Sequence, residues 1–116
     1  MRADLKHLHF RDRDIESSIE LNEDNVLEVD AYIGTSGEDA SQIFSLTVCT
    51  PEYFAKRLEQ ESVVNGRGYL IMNAFNEDKL RSYIDRFCSK CWGDSWEEIE
   101  RKLEFVGRSE FEDYQE

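Results

Sequence analysis

The sequence predicts one α+β domain spanning residues 1–116, with a mainly antiparallel sheet of about four to five strands covered by about three helices. Three observations lead to this prediction. In residues 25–34 and again in residues 44–48, apolar and polar side chains alternate with the two-residue period of half-buried strands. In the second half, apolar residues instead recur at the spacing of amphipathic helices. No proline- or serine-rich linker and no internal repeat divides the chain.

The first half of the chain is expected to supply most of the strands. Residues 2–10 are predicted as a strand in which Leu5 and the two histidines face one way. Residues 11–24 are polar and acidic, and their pattern allows either a loop or one short helix. Residues 25–34 form a clearer strand with two distinct faces: Leu27, Val29, Ala31 and Ile33 on one, and Glu28, Asp30 and Tyr32 on the other.

A polar turn connects this strand to the next. Residues 34–41, GTSGEDAS, have turn chemistry, and Gly34 and Gly37 are free to take positive φ. In the strand that follows, the three apolar residues of FSLTV (44–48) share one face. Two neighbouring strands joined by such a turn predict an antiparallel hairpin.

The first helix is predicted from the stretch TVCTPEYF, in which a strand ends and a helix begins. Thr50 suits the N-cap, and Pro51 suits the first helical position because its missing N–H would have no partner there. Phe54 and Leu58 are expected to form the inward stripe of this helix.

Two further helices and two short strands complete the prediction. Residues 69–74, YLIMNA, are predicted as a short strand, and the tail after Gly107 as a last edge strand. Asn76 caps the longest helix, and Ser95 with Glu98 forms the capping-box pattern of the next. The longest helix carries one apolar stripe: Leu80, Ile84, Phe87, Cys88 and Cys91. The last helix has a shorter inward face: Trp96, Ile99 and Leu103.

The charge balance indicates the kind of partner. The chain has 26 acidic and 14 basic residues and a formal net charge of −12 at pH 7. Such a surface repels nucleic-acid phosphates and attracts basic proteins, so we expect a protein partner and no nucleic acid. No apolar run has the length of a membrane span or a signal peptide, so we expect a cytoplasmic protein with no membrane partner. The alternative interpretation is an acidic protein that is simply soluble.

Three cysteines are the candidate nucleophiles or metal ligands. Cys49 lies just before a helix cap with no histidine near it in sequence, which favours packing over catalysis. Cys88 and Cys91 have CxxC spacing, but they fall on the apolar stripe towards the end of a helix, where the thiolate is disfavoured. Zinc would need two more ligands, for which only Cys49, His7 and His9 are candidates. We therefore predict no catalytic residue, no metal and no cofactor.

Two acidic tracts are left as the candidate binding surface. Residues 12–30 hold eight acids and one base, and residues 94–116 hold nine acids and three bases. Aromatic residues lie in or beside both tracts, and acids interleaved with aromatic rings suit contact with a basic protein. The alternative is a solvated face. The predicted contact residues are Glu28, Asp30, Tyr32, Glu112, Asp113 and Tyr114.

Four stretches of the chain, ADLKHLH, FSLTVCTPEYF, GDSWEEIERKL and FEDY, resemble the immunity protein 8 family of bacterial polymorphic toxin systems. The resemblance implies a small cytoplasmic antitoxin without enzymatic activity. Such a protein would bind and neutralise the C-terminal toxic domain of a cognate toxin, as in contact-dependent growth inhibition. Many of these toxins are basic nucleases, which agrees with the acidic charge. We expect a monomer in the free state.

Two alternative functions stay open from the residues alone. One is a non-catalytic acidic interaction or scaffold module with no toxin as its partner. The other is a small enzyme that uses Cys49 or the pair of Cys88 and Cys91. Thiol labelling separates the enzyme from the binding proteins, because a catalytic thiol of low pKa reacts fast near neutral pH.

Overall fold

The computed structural model describes residues 1–11 and 26–110. The strands and helices in chain order are β1 (Ala3–Phe10), β2 (Val26–Thr35), β3 (Gln42–Cys49), α1 (Pro51–Glu61), β4 (Tyr69–Ile71), α2 (Glu77–Ser89), α3 (Trp96–Leu103) and β5 (Arg108–Ser109). The strands form one sheet in the order β1-β2-β3-β4, and β5 also pairs with β3. The predicted α+β fold is confirmed. The predictions for residues 12–24 and for the tail beyond Glu110 lie outside the described residues.

β2 and β3 form the predicted antiparallel hairpin, which lies at the centre of the sheet. Their register pairs Val26 with Cys49 at one end and Ile33 with Gln42 at the other. The predicted alternation is confirmed, because the apolar face of both strands is buried: Leu27, Val29, Ala31, Ile33, Phe44, Leu46 and Val48. The polar side chains between them point to the opposite face of the sheet.

The two glycines of the turn between these strands differ in backbone conformation. Gly37 has the expected positive φ, 86°, whereas Gly34 continues strand β2 without a positive φ. Gly34 is needed for a different reason, since a Cβ at this position would overlap the backbone carbonyl of Ala40. The glycine therefore allows the returning chain to pass directly against the strand.

Strand β1 contradicts the predicted assignment of its faces. Its register against β2 shifts between Leu5 and His7, so the strand has a bulge at Lys6. Beyond the bulge the alternation is reversed, and Leu8 is buried while His7 and His9 are exposed. The histidines therefore do not share a face with Leu5, because the extra residue shifts every later side chain to the other face.

Two short strands share the edge of β3 that β2 leaves open. β4 runs parallel to Thr47–Cys49, and β5 runs antiparallel to Phe44 and Ser45. A parallel pair needs a crossover connection, which α1 provides between β3 and β4. The predicted strand at residues 69–74 is shorter than expected, and the predicted tail strand consists of two residues.

The core lies between one face of the sheet and the helices α2 and α3. Those helices contribute five fully buried side chains: Leu80, Ile84, Cys88, Ile99 and Leu103. Two predicted caps are confirmed, because Asn76 accepts a hydrogen bond from the Lys79 amide and Ser95 accepts one from the Glu98 amide. Within the described part of the chain, no helix combines the length and the apolar character that crossing a membrane requires.

Helix α1 packs differently from the prediction. It starts at Pro51 after Thr50, as predicted, although the Thr50 hydroxyl makes no capping hydrogen bond. Phe54 is half-buried and Leu58 is 45% exposed, so the predicted inward stripe is wrong. The helix instead contacts the ring of Tyr69 on β4. Tyr69 shares a face with the polar side chains of β3, so α1 lies on the side of the sheet opposite α2 and α3.

Candidate functional site

The face of the sheet opposite α2 and α3 collects polar and aromatic side chains from all five strands, and we call it the outer sheet face. Cross-strand register places ten residues on it: His7, His9, Glu28, Asp30, Tyr32, Ile43, Ser45, Thr47, Tyr69 and Arg108. The residues from β2 and β3 are half-buried by their neighbours. The face is thus a continuous patch in which each row of side chains crosses three or four strands.

Asp30 is the most connected carboxylate of the outer sheet face. The Arg11 guanidinium donates to both of its oxygens at 2.7–3.0 Å, and the Ser45 hydroxyl donates to Oδ1 at 3.0 Å. Partial burial opposes ionisation, but the hydrogen bonds from Arg11 and Ser45 outweigh it and lower the pKa of Asp30. The Asp30 side chain is only 13% exposed, so its carboxylate interacts mainly with groups of the protein itself.

Glu28 and Tyr32 flank Asp30 along β2. The Thr47 hydroxyl contacts the two carboxylate oxygens of Glu28 at 2.9 and 3.1 Å. The Tyr32 ring lies against the ring of His7, with centroids 5.6 Å apart. The three predicted contact residues of β2 therefore share one face of the sheet, but both carboxylates have partners inside the protein. The other three predicted contact residues lie outside the described residues: Glu112, Asp113 and Tyr114.

At the β4 end of the outer sheet face, α1 adds an aromatic corner made of Tyr53, Phe54, Arg57 and Tyr69. The Arg57 guanidinium lies 5.7 Å from the Tyr53 ring centroid and 5.9 Å from that of Tyr69. It donates hydrogen bonds to the Tyr69 hydroxyl and to both carboxylate oxygens of Glu61. These contacts fix the guanidinium between two aromatic rings and a carboxylate, a geometry that favours a single side-chain arrangement.

A groove opens beside this corner, between β4 and α2. It has a volume of about 350 Å³ and is lined mainly by apolar and aromatic side chains: Tyr69, Leu70, Ile71, Met72, Lys79, Leu80 and Tyr83. Ile71 and Tyr83 are 58% and 49% exposed. Tyr69 belongs to both the groove and the outer sheet face, so the two form one continuous surface.

The negative charge is unevenly distributed along the chain. The described residues hold 17 acids and 13 bases, which gives a net charge of −4. The remaining −8 of the total −12 is carried by residues 12–25 and 111–116. Residues 12–25 connect Arg11 to Val26 at one end of the β1–β2 pair. The outer sheet face carries two carboxylates, Glu28 and Asp30, and one arginine, Arg108. Arg11 is paired with Asp30 beside them, so this face is close to neutral.

The cysteines do not form a candidate active site. All three are buried, and none is in a disulfide. Burial raises the pKa of Cys49 to about 11 and that of Cys88 to about 12, and it also raises the pKa of Cys91. Such thiols stay protonated near neutral pH, which makes them poor nucleophiles. Within residues 1–11 and 26–110, no cluster of His, Cys, Asp or Glu side chains is placed to hold a metal ion.

Comparison with known proteins identifies the family of the chain. The family model described as Immunity protein 8 matches residues 3–114. The chain belongs to the immunity protein 8 family. It is therefore an immunity protein whose partner is a toxin, and the resemblance seen in the sequence is confirmed. No curated protein and no solved structure matches the chain.

For this immunity protein 8 family member, sequence reasoning missed the aromatic corner and the groove beside it. One local signal was present, because Tyr53, Arg57 and Glu61 are spaced four residues apart on one face of a helix. The contact between α1 and Tyr69 could not be predicted from the sequence, since it depends on the parallel pairing of β4 with β3. A three-residue strand gives too short a pattern to predict its neighbour or its direction.

Proposed function

We propose that this protein binds the C-terminal toxic domain of a cognate bacterial toxin as a 1:1 complex and blocks its activity. The observation that carries the proposal is the match of the immunity protein 8 family model to residues 3–114, nearly the whole chain. Inhibition by binding needs a stable surface and no chemistry of its own. The protonated, buried cysteines support such a non-catalytic role.

The partner we propose is a basic toxin domain, such as a nuclease, delivered by contact-dependent growth inhibition or a related polymorphic toxin system. The net charge of −12 supports this choice, because opposite net charges steer two proteins together and raise their association rate. The complex would form in the cytoplasm, with the free immunity protein as a monomer that binds neither nucleic acid nor membranes.

For the binding surface we propose the outer sheet face together with the tail. Tyr32, Tyr53 and Tyr69 support this choice, since tyrosine and arginine are enriched where protein interfaces derive most of their energy. Glu28 and Asp30 would then have two roles. They would contact the partner, and they would hold the rows of polar side chains on this face in place. Three tail residues are also proposed as contacts, because their sequence combines acidic side chains with an aromatic ring: Glu112, Asp113 and Tyr114.

The test is calorimetric titration of the protein against the C-terminal domain of the toxin encoded next to it, with the activity of that domain assayed in parallel. We expect a nanomolar 1:1 complex without toxin activity. Absence of binding at low salt, where charge attraction is strongest, would overturn the proposed function for that pair.

The surface is tested separately by charge reversal. We expect Glu112→Lys to weaken binding about tenfold or more, because it removes an attraction and adds a repulsion at the interface. The matched control is Glu59→Lys on α1, an exposed carboxylate that belongs neither to the outer sheet face nor to the aromatic corner. Equal effects of the two substitutions would indicate general charge steering and contradict a role of the tail as a contact.

A further inference from the structure

Strand β4 has one edge that no described strand covers. Its backbone hydrogen bonds to β3 involve every second residue. The backbone N–H of Thr47 donates to the Gly68 carbonyl at 2.9 Å, and the backbone N–H of Met72 donates to the Cys49 carbonyl at 2.8 Å. Successive residues of a strand direct their N–H and C=O groups to opposite edges. The backbone groups of Ile71 therefore point away from β3. In the described part of the chain, no backbone group outside β4 bonds to them.

The apolar groove lies directly along this edge. Ile71, Met72 and Tyr83 line it, and Ile71 and Tyr83 expose about half of their surface or more. A bare strand edge next to an apolar groove has the features of a strand-addition site. The backbone edge supplies hydrogen bonds to an added strand, while the groove takes one of its side chains.

Lys79 supplies the charge of this site. It is the only ionisable side chain other than tyrosine in the groove lining. It is exposed, and no described carboxylate lies in ion-pair contact with it. A single ammonium group at the rim of an apolar groove fits a carboxylate next to an apolar residue. One cation is too few for binding to a nucleic-acid backbone, which needs several phosphate contacts.

We propose that an extended segment of the toxin domain adds as a strand beside β4, with an apolar side chain in the groove and a carboxylate near Lys79. The proposal rests on the proposed function, since it names the part of the toxin that this site receives. Tyr69 joins the site to the outer sheet face, so one toxin domain covers both. The contact has an apolar centre at the groove and a polar rim along the strands, the usual anatomy of a protein interface.

The experiment measures the dissociation constant of the toxin domain encoded next to this protein for five variants and the wild type. Ile71→Pro removes the outward N–H while leaving the bonds between β4 and β3 in place, and proline is tolerated at such edge positions. We expect it to weaken binding about tenfold or more, whereas Ile71→Val keeps the N–H and stays within about twofold. Tyr83→Ala, which empties one wall of the groove, is expected to weaken binding about tenfold.

The charge of the site is tested by Lys79→Glu, with an expected loss of about tenfold and a smaller loss at high salt. The matched control is Lys56→Glu, an exposed lysine on α1 that does not line the groove. Thermal unfolding of every variant checks that it is folded. If Ile71→Pro does not fold, Tyr83→Ala and Lys79→Glu decide the question, because both change exposed side chains.

The outcomes separate this inference from the proposed function. If the wild type binds the toxin domain and Ile71→Pro, Tyr83→Ala and Lys79→Glu all bind equally well, the strand-addition site is overturned and the proposed function stands. If the wild type does not bind the toxin domain, the strand-addition site and the proposed function are both overturned. Sedimentation of the free protein gives a further check, since a dimer that Ile71→Pro dissociates would assign the edge to a second copy of this chain and overturn the toxin as its occupant.

Discussion

At the residue scale, Asp30 shows how a polar sheet face is kept in one arrangement. Its carboxylate on β2 links β3 to the residue that directly follows β1, because Ser45 and Arg11 both donate to it. Charged hydrogen bonds of this kind are about twice as strong as neutral ones. Removing the charge while keeping the shape therefore tests how much this face contributes to folding.

We expect Asp30→Asn to lower the free energy of unfolding by about 1 to 2 kcal/mol at pH 7, measured by urea denaturation. The folded protein lowers the pKa of Asp30 below its ordinary value of 3.8. The contribution of the charge is therefore full above that value and is lost as the pH falls through the lowered pKa. The difference between wild type and variant should shrink below about pH 4. A difference that stays constant down to pH 2 would contradict this account.

The cysteines give a second prediction at this scale. Because the pKa values of Cys49 and Cys88 are raised to about 11 and about 12, few of these thiols are ionised at pH 7.5. We expect a thiol reagent to label the native protein at least about 100-fold more slowly than the protein in urea. Fast labelling of one cysteine in the native state would instead support the alternative of a cysteine-dependent enzyme.

A third prediction at this scale concerns Gly34, with Gly66 as the control position. A methyl group at Gly34 would collide with the Ala40 carbonyl, whereas a methyl group at Gly66 meets no atom within 4 Å. We expect Gly34→Ala to destabilise the protein by about 1 to 3 kcal/mol. Gly66→Ala should be neutral or stabilising by up to about 1 kcal/mol. Equal thermal unfolding temperatures for the two variants would show that the turn can relax.

At the scale of the elements, the helices differ in how deeply they are packed. Leu80 of α2 is 1% exposed and lies in the core, while Leu58 of α1 is 45% exposed. Leu80→Ala is expected to cost about 2 to 5 kcal/mol of unfolding free energy through lost burial and a cavity. Leu58→Ala should cost less than about 1 kcal/mol. Comparable losses in urea denaturation would mean that α1 is packed more tightly than its exposure indicates.

The elements with a strong local pattern were the ones that the sequence could predict. The alternation is uninterrupted over residues 26–33 of β2 and 42–48 of β3, and Asn76 and Ser95 are capping residues followed by a regular apolar stripe. Each of these signals is local, so tertiary contacts do not need to be known to read it. The hairpin and the packing of α2 and α3 follow from them.

The failures have physical causes in particular residues. The bulge at Lys6 inserts one residue into β1, and nothing in the composition of residues 2–10 marks it. Phe54 and Leu58 have helical spacing, but α1 packs on the edge of the polar face and has no core beneath Leu58. The network around Asp30 was invisible as well, since it joins residues that are 15 and 19 positions apart.

At the scale of the whole molecule, the net charge predicts the kinetics of toxin binding. Most of that charge belongs to residues 12–25 and 111–116, so these segments dominate long-range attraction to a basic partner. We expect the association rate to fall about tenfold or more between roughly 50 and 500 mM salt, with little change in the dissociation rate, by surface plasmon resonance. An association rate independent of salt would contradict a basic partner.

The single edge of β3 that receives both β4 and β5 also has a consequence for the protein while it is being made on the ribosome. β5 lies about 60 residues after β3, which at synthesis rates of about 5 to 20 residues per second corresponds to about 3 to 12 s during which Phe44 and Ser45, the part of this edge that β4 does not cover, have no partner strand. An unpaired edge on a completed hairpin is a template for strands of other chains. We expect the nascent chain to be open to aggregation at these two residues for those seconds, and its yield in the cell to depend on how fast translation supplies the last residues of the sheet.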